Sequence, residues 1–199
     1  MKFTGYRRSD GRIGIRNHVL ILPASICASD VARQVMQQVQ GTVSFHNQLG
    51  CSQTPIDQAC TLRTMAGMAA NPNVYGTIVI SLGCENCQME LVTKEIKSRC
   101  DKPLETFIIQ ACGGTLRTVE QAVRCARAMV SEASRMQREE ADVSELMLAM
   151  ECGGSDPTSG LAANPLLGEV ADRIVAKGGT AVLSETTEFI GAEKLLARR

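Results

Sequence analysis

The sequence predicts an α/β fold: a parallel-rich, doubly wound (Rossmann-like) sheet of about six strands with helices on both faces. Three observations predict it. Short apolar runs recur, each followed by a loop of small polar residues and then a helical pattern. Successive runs lie about 30 residues apart, the length of one strand–helix unit. The run at 74–82 (VYGTIVISL) is nearly all apolar, as a central parallel strand covered on both faces must be.

The elements follow in order. Residues 1–17 (MKFTGYRRSDGRIGIRN) alternate Gly with Arg7, Arg8, Arg12 and Arg16 and read as a looped basic segment ahead of an α/β domain at 18–199. Residues 18–23 (HVLILP) form the first strand, and Ser29 or Asp30 caps a helix over 31–39. Residues 41–45 form the second strand, with the loop His46-Asn-Gln-Leu-Gly-Cys51 behind it. Thr54 and Pro55 have the chemistry of an N-cap and first helical residue for a helix reaching Ala70. The strand at 74–82 ends in Gly83-Cys-Glu-Asn-Cys87, and a helix covers 88–97. A fourth strand at 104–110 ends in Ala111-Cys-Gly-Gly114, and a long helix runs over 115–137. Residues 138–143 are charged and read as a surface connection. The fifth strand, 146–150, enters the loop Glu151-Cys-Gly-Gly-Ser-Asp156, with a helix over 162–177 behind it. A sixth strand at 180–183 and a last helix at 189–196 close the chain.

Composition narrows the function. Twenty-one basic and twenty-one acidic residues cancel, which argues against a general nucleic-acid or membrane-surface binder. Hydrophobic residues make up 44%, enough for a sizeable core. With no apolar run near 18 residues and no signal-peptide pattern, a cytoplasmic location is expected. No GxGxxG or GxxxxGK[ST] follows a strand, so a nucleotide site has no support. Ser25, Ser155 and Ser159 lack the GxSxG elbow of a serine hydrolase.

The nine cysteines carry the sharper signal. Disulfides are not expected without an export signal. Cys27, Cys51, Cys84, Cys112 and Cys152 each follow one of the first five strands. In a parallel sheet those positions share the carboxyl edge, where ligands bind. Thiolates gathered there, with His46 and Glu85 close in sequence, resemble a soft-metal or iron–sulfur environment. Small buried residues at crowded loop starts are the plainer explanation. Cys84-Glu-Asn-Cys87 also has the CxxC layout of a thioredoxin-type redox pair. Arg12 or Arg16 suits a carboxylate through its guanidinium fork.

Six ordered motifs resemble one family. They are Asp10-Gly-Arg-Ile-Gly-Ile-Arg-Asn17, His46 to Cys51, Gly83-Cys-Glu85, Cys152-Gly-Gly-Ser-Asp156, Ser159-Gly160 with Ala163-Asn-Pro165, and Ser184-Glu-Thr-Thr-Glu188. Together they are similar to the catalytic region of the altronate/galactarate dehydratases, whose relatives include the large subunit of sulfolactate sulfo-lyase. The resemblance implies a lyase that removes water, or sulfite, from a sugar acid or related 2-hydroxy acid to give a 2-keto acid. It implies metal-assisted chemistry, usually with iron, as Fe²⁺ or a cluster, another divalent metal being possible; Cys27, Cys51, Cys84 and Cys152, by their places after the strands, are the candidate ligands. His46, Glu85 and Asp156 become the candidate acid–base residues. Arg12, Arg16, Asn17, Ser155, Ser159 and Asn164 become the candidate substrate contacts. Family catalytic regions are roughly twice as long, so the chain reads as the first part of one. A small β-rich subunit, the missing second half and further copies of the chain are the expected partners. An iron–sulfur carrier and a non-catalytic assembly domain are the alternatives from other classes.

Overall fold

A computed structural model of the chain describes residues 1–154 and 156–198, with Glu188 described by its backbone alone. The chain divides into two compact units, one of Gly5–Glu139 and one of Met1–Thr4 with Glu140–Arg199.

The larger unit holds a four-stranded parallel sheet. β3 (His18–Pro23), β4 (Thr42–Ser44), β5 (Val74–Ser81) and β6 (Leu104–Ile108) lie in the order β4-β3-β5-β6. These are the first four predicted strands, in parallel register throughout. Their period-two patterning explains why helices cover both faces. Val19, Ile21, Ile78 and Ile80 point to one side and pack with Val31 and Val35 of α1 (Ile26–Gln38) and Ala122 and Ala126 of α4 (Thr115–Ser134). Leu20, Leu22 and Val79 point to the other side. They meet Met65 and Ala66 of α2 (Pro55–Ala70) and Val92 and Ile96 of α3 (Met89–Lys97). Each of these aliphatic side chains contributes ~1.5–3 kcal/mol by leaving water.

The helix ends show how local chemistry sets boundaries. Thr54 caps α2 as its sequence predicts, its hydroxyl accepting from the Asp57 amide at 3.3 Å, with Pro55 behind it. α1 begins earlier than predicted: Ser25, not Ser29 or Asp30, is its N-cap residue. The extra turn is possible because the loop from β4 reaches over it, and the Ile26 amide donates to Leu49 O at 3.0 Å.

The predicted sheet of about six strands is corrected. The fifth and sixth predicted strands, β8 (Met147–Met150) and β9 (Thr180–Leu183), form a separate two-stranded parallel sheet, joined by α5 (Asn164–Ala176). Hydrophobic patterning marks a strand but does not say which sheet it joins. A π-helical turn, Ser159–Ala163, precedes α5, and the short α6 (Glu193–Leu196) ends the described chain. The first seventeen residues are not a loop throughout. β1 (Lys2–Arg7) and β2 (Ile13–Gly14) pair antiparallel, and with β7 (Glu139–Asp142), predicted as a surface connection, they give the strand order β2-β1-β7. Gly14 lets β2 pass close to the chain just beyond α2: a Cβ there would stand 2.0 Å from Pro72 O.

Cations close the C-terminal end of α2. The helix leaves carbonyls without intrahelical donors. Lys102 Nζ donates to Ala69 O at 3.1 Å and to Asn71 O at 2.5 Å. Arg12 Nη2 donates to Ala70 O at 2.9 Å, and Arg8 Nε to Pro72 O at 2.7 Å. Burial, opposed by Cys100 and reinforced by Arg8 and Arg12, lowers Lys102 from 10.5 to about 8. Between those values the unfolded chain keeps a proton that the folded chain has released. Folding therefore gains stability as pH rises from about 8 to 10.5. We expect the stability difference between wild type and Lys102→Met, from urea melts at pH 7.5 to 10.5, to move in favour of wild type with rising pH. A pH-independent difference would show that Lys102 keeps an ordinary pKa.

Candidate functional site

The strand order places a topological switch point between β3 and β5. From β3 the chain crosses to β4 on one side, and from β5 it crosses to β6 on the other. Loops at the carboxyl ends of these strands border the crevice where open α/β sheets bind ligands. Three loops are tied together here. Asn47 Nδ2 donates to Pro23 O at 3.0 Å, and the Cys87 amide donates to Gly50 O at 3.0 Å. Gly50 has φ +108°, and a Cβ on it would stand 2.5 Å from Ala24 O and 2.7 Å from Ser25 Cα. The glycine in the His46–Cys51 motif thus lets two loops touch backbone to backbone.

Cys27, Cys51 and Cys84 are exposed on this edge, and Cys27 lies in the first turn of α1. Cys87, the second cysteine of the CxxC, is fully buried. Burial pushes its thiol pKa up, and the nearby Cys51 and Glu85 add to the effect. Its Sγ donates to Gln53 Oε1 at 3.8 Å. Ser52, directly after Cys51, holds a left-handed φ of 53°. The Ser25 hydroxyl is fully buried and has no hydrogen-bond partner among the described residues. His46 is exposed and borders an apolar depression of about 190 Å³ lined by Leu22, Phe45, Leu49, Met65 and Met68.

Glu85 turns inward. Its carboxylate accepts from the amides of Leu82 (2.9 Å), Gly83 (2.7 Å) and Cys84 (2.9 Å), and the residue is almost fully buried. Three successive amides form an anion-binding nest, and Glu85 fills it. The sequence names Glu85 as an acid–base candidate; the geometry gives it the work of shaping the loop that presents Cys84.

Arg12, Arg16 and Asn17 are not brought to this edge. They precede β3 and lie at the amino edge, about 20 Å away for a six-residue strand. Arg12 pairs with Asp10 at 2.6 Å, which holds the Asp10 carboxyl below its usual range. The Arg16 amide donates to Asn73 Oδ1 at 3.0 Å, and Asn17 Nδ2 donates to Ala133 O at 2.8 Å near the end of α4. Their donors serve helix ends and turns.

A second group forms where β8 and β9 end side by side. Ser184 Oγ donates to Met150 O at 2.6 Å, and the Cys152 amide donates to Glu185 Oε2 at 2.8 Å. Glu185 has a left-handed φ of 59°. Asn164 Nδ2 lies 3.8 Å from Cys152 Sγ, and Ser159 Oγ donates to Gly154 O at 3.4 Å. Asp156 Oδ1 accepts from the Thr158 amide at 2.7 Å and from the Thr158 hydroxyl. Those bonds lower the Asp156 pKa, the hydroxyl's most of all, so it stays ionised and is a weak proton acceptor. Cys152, Asp156, Ser159 and Asn164 line one depression of about 310 Å³, within the size range of small-molecule sites. Ser155 lies outside the described residues. Ser184 and Glu185 join the site here, and the sequence signal for them was the Ser184–Glu188 motif.

The thiolates invite a test for iron. Among the described residues, no group of three or more His, Cys, Asp or Glu side chains is close enough to hold a metal ion. Cys27, Cys51 and Cys84 belong to one unit and Cys152 to the other. The described residues do not make a coordination set within either unit.

The Glu85 nest is open to measurement. Glu85→Ala strips the acceptor from three amides. We expect a stability loss of about 3 kcal/mol and at least tenfold faster hydrogen exchange at Leu82, Gly83 and Cys84. Unchanged exchange there would show that the nest does not depend on Glu85.

Comparison with known proteins agrees with the two-unit division. The family model described as D-galactarate dehydratase/Altronate hydrolase, second domain, matches residues 5–134. The model described as D-galactarate/Altronate dehydratase, C-terminal, matches residues 143–199. The chain is 42% identical to (2R)-sulfolactate sulfo-lyase subunit beta of Chromohalobacter salexigens, over 99% of this chain and 50% of that protein. It is 35% identical to altronate dehydratase of Escherichia coli, over 96% of this chain and 40% of that protein. It is 32% identical to galactarate dehydratase (L-threo-forming) of Escherichia coli, over 99% of this chain and 41% of that protein. The chain spans half or less of the length of these relatives. No described helix is long and apolar enough to cross a membrane. The first family model alone covers well over half of the chain, and the chain belongs to the D-galactarate dehydratase/altronate hydrolase family.

Proposed function

We propose that the chain supplies part of the active site of a lyase that eliminates water from a sugar acid. The reaction breaks the C–H bond beside the carboxylate and the C–O bond of the neighbouring hydroxyl. The enol left behind tautomerises to a 2-keto acid, and the hydroxyl leaves as water. Such a reaction needs a base, stabilisation of the enolate and a water-poor pocket.

One observation carries this reading. The motif residues Cys152, Asp156, Ser159 and Asn164, separated in sequence, line one depression at a strand's carboxyl end. The Asn164 amide and the Ser159 hydroxyl offer neutral polar contacts suited to sugar hydroxyls. The ionised Asp156 orients a hydroxyl better than it accepts a carbon-bound proton. His46, exposed beside the apolar depression of the larger unit, is the residue we assign as base in the complete enzyme. Iron or another divalent metal remains part of the proposal as a requirement of the complete enzyme. So do a small β-rich subunit, self-association and a cytoplasmic location.

A second reading is elimination of sulfite from a sulfonated 2-hydroxy acid, favoured by the 42% identity to the sulfo-lyase subunit. Here the C–S bond breaks in place of C–O, and the keto acid product forms in the same way.

The assay uses the 199-residue chain, purified without oxygen and loaded with Fe²⁺, alone and with a polypeptide carrying the relatives' second half. Sugar acids and sulfolactate are supplied, and 2-keto acid and sulfite are measured separately. We expect little or no turnover from the chain alone, and turnover that His46→Ala abolishes once the second half is added. Keto acid with equimolar sulfite would select the sulfo-lyase reading. Turnover near 1 s⁻¹ by the chain alone would place the whole site within these residues. No product from any substrate with the second half bound would overturn the lyase reading.

A further inference from the structure

The smaller unit does not bury what it should. Its buried apolar residues are Ala141, Val143, Met150 and Ala171, two of them alanines. Leu161 and Ile190 are each 83% exposed, Leu166 and Leu195 66%. Val170, one turn beyond Leu166 on α5, is exposed as well. α5 has an inner face, where Leu167 and Ala171 meet Met150 and Leu183 around a cavity of about 480 Å³. Leu195 borders that same cavity; Leu161, Leu166, Val170 and Ile190 do not, and they are a further exposed apolar surface.

The sheet is bare in the same way. β8 and β9 pair in parallel with Ala149 opposite Val182 and Met147 opposite Thr180. Met150 and Leu183 face α5. By period two, Met147, Ala149 and Val182 face the other way, and all three are exposed. Parallel sheets are stable when both faces are covered, and here α5 covers only one. A polar sugar acid does not match such an aliphatic surface; a polypeptide does. The relatives show where one comes from, because half or more of their length has no counterpart in this chain.

We propose that this face is the docking surface for that second half, which adds a parallel strand–helix layer: a strand along a free edge of the β8–β9 pair and a helix over Met147, Ala149 and Val182. The inference does not rest on the reaction proposed above.

The test mixes the 199-residue chain with the separately expressed second half of the Chromohalobacter salexigens sulfo-lyase subunit beta and follows sedimentation and hydrogen exchange. We expect a one-to-one complex, with exchange at 147–150 and 180–183 slowed at least tenfold. The double variant Met147→Lys, Val182→Lys alters exposed positions only. It should weaken the complex at least tenfold with an unchanged circular dichroism spectrum. A fusion of the same half after Arg199 gives a second measurement that does not depend on that half folding alone. Three outcomes overturn the proposal. One is a self-associated chain with these strands already protected, which makes a second copy the occupant. Another is a monomer with the strands already protected. The third is a fusion in which they stay unprotected.

Discussion

Coverage of β3 and β5 on both faces is the constraint on which the larger unit depends. Parallel strands cannot turn back on themselves, so each crossover carries a helix. The alternating aliphatics of β3 and β5 require those helices on both sides. Once α1 and α4 occupy one face and α2 and α3 the other, every strand must end on the same edge. The His46–Cys51 and Gly83–Cys87 loops then meet because their strands are sheet neighbours or next neighbours. The site loops are thus a consequence of core packing, and the Gly50 contact fixes how closely they approach.

The two edges of that sheet are used in opposite ways. At the amino edge, Arg8, Arg12 and Lys102 neutralise the carbonyl end of α2, and Asn17 serves the end of α4. Cationic donors spent on carbonyls are not available to a substrate. At the carboxyl edge the loop amides after β5 close around Glu85, so the strongest local anion site is filled by the chain itself. What stays exposed there is softer: the thiols of Cys27, Cys51 and Cys84 and the imidazole of His46.

Much of this was legible from the residues. Period-two aliphatics located β3 and β5, Thr54-Pro55 located the start of α2, and cysteines after strand-like runs located the edge. Sheet membership was not legible, because β8 and β9 are apolar runs after strand-length spacings like β3 and β5, and which strands they pair with is set by long-range contacts. The direction of a side chain was hidden for the same reason. Glu85 in a loop reads as a free carboxylate until its three amide donors are known, and Arg12 reads as a free fork until Asp10 and Ala70 O are seen beside it. That Cys87 is buried while Cys84 is exposed cannot be read from a CxxC spacing. Cys152, Asp156, Ser159 and Asn164, taken from two neighbouring motifs and given different roles by sequence, line one depression because those motifs occupy the segment that leads into α5.

Strain points to the same loops from another direction. Two non-glycine residues hold a left-handed φ among the described residues, Ser52 beside Cys51 and Glu185 opposite Cys152. Such backbone costs of order 1–3 kcal/mol at each site and persists only where surroundings fix it. For Glu185 the fixing contact is visible: its carboxylate takes the Cys152 amide, and the neighbouring Ser184 binds Met150 O. For Ser52 it is the pairing of Gly50 O with the Cys87 amide two residues before. In both units a strained turn is held so that a cysteine loop keeps one shape, in a chain whose ordinary turns use glycine for the same dihedral. At Glu185 the side chain itself takes part: its carboxylate accepts from the backbone amide of Cys152, a contact that glycine at this position would not make.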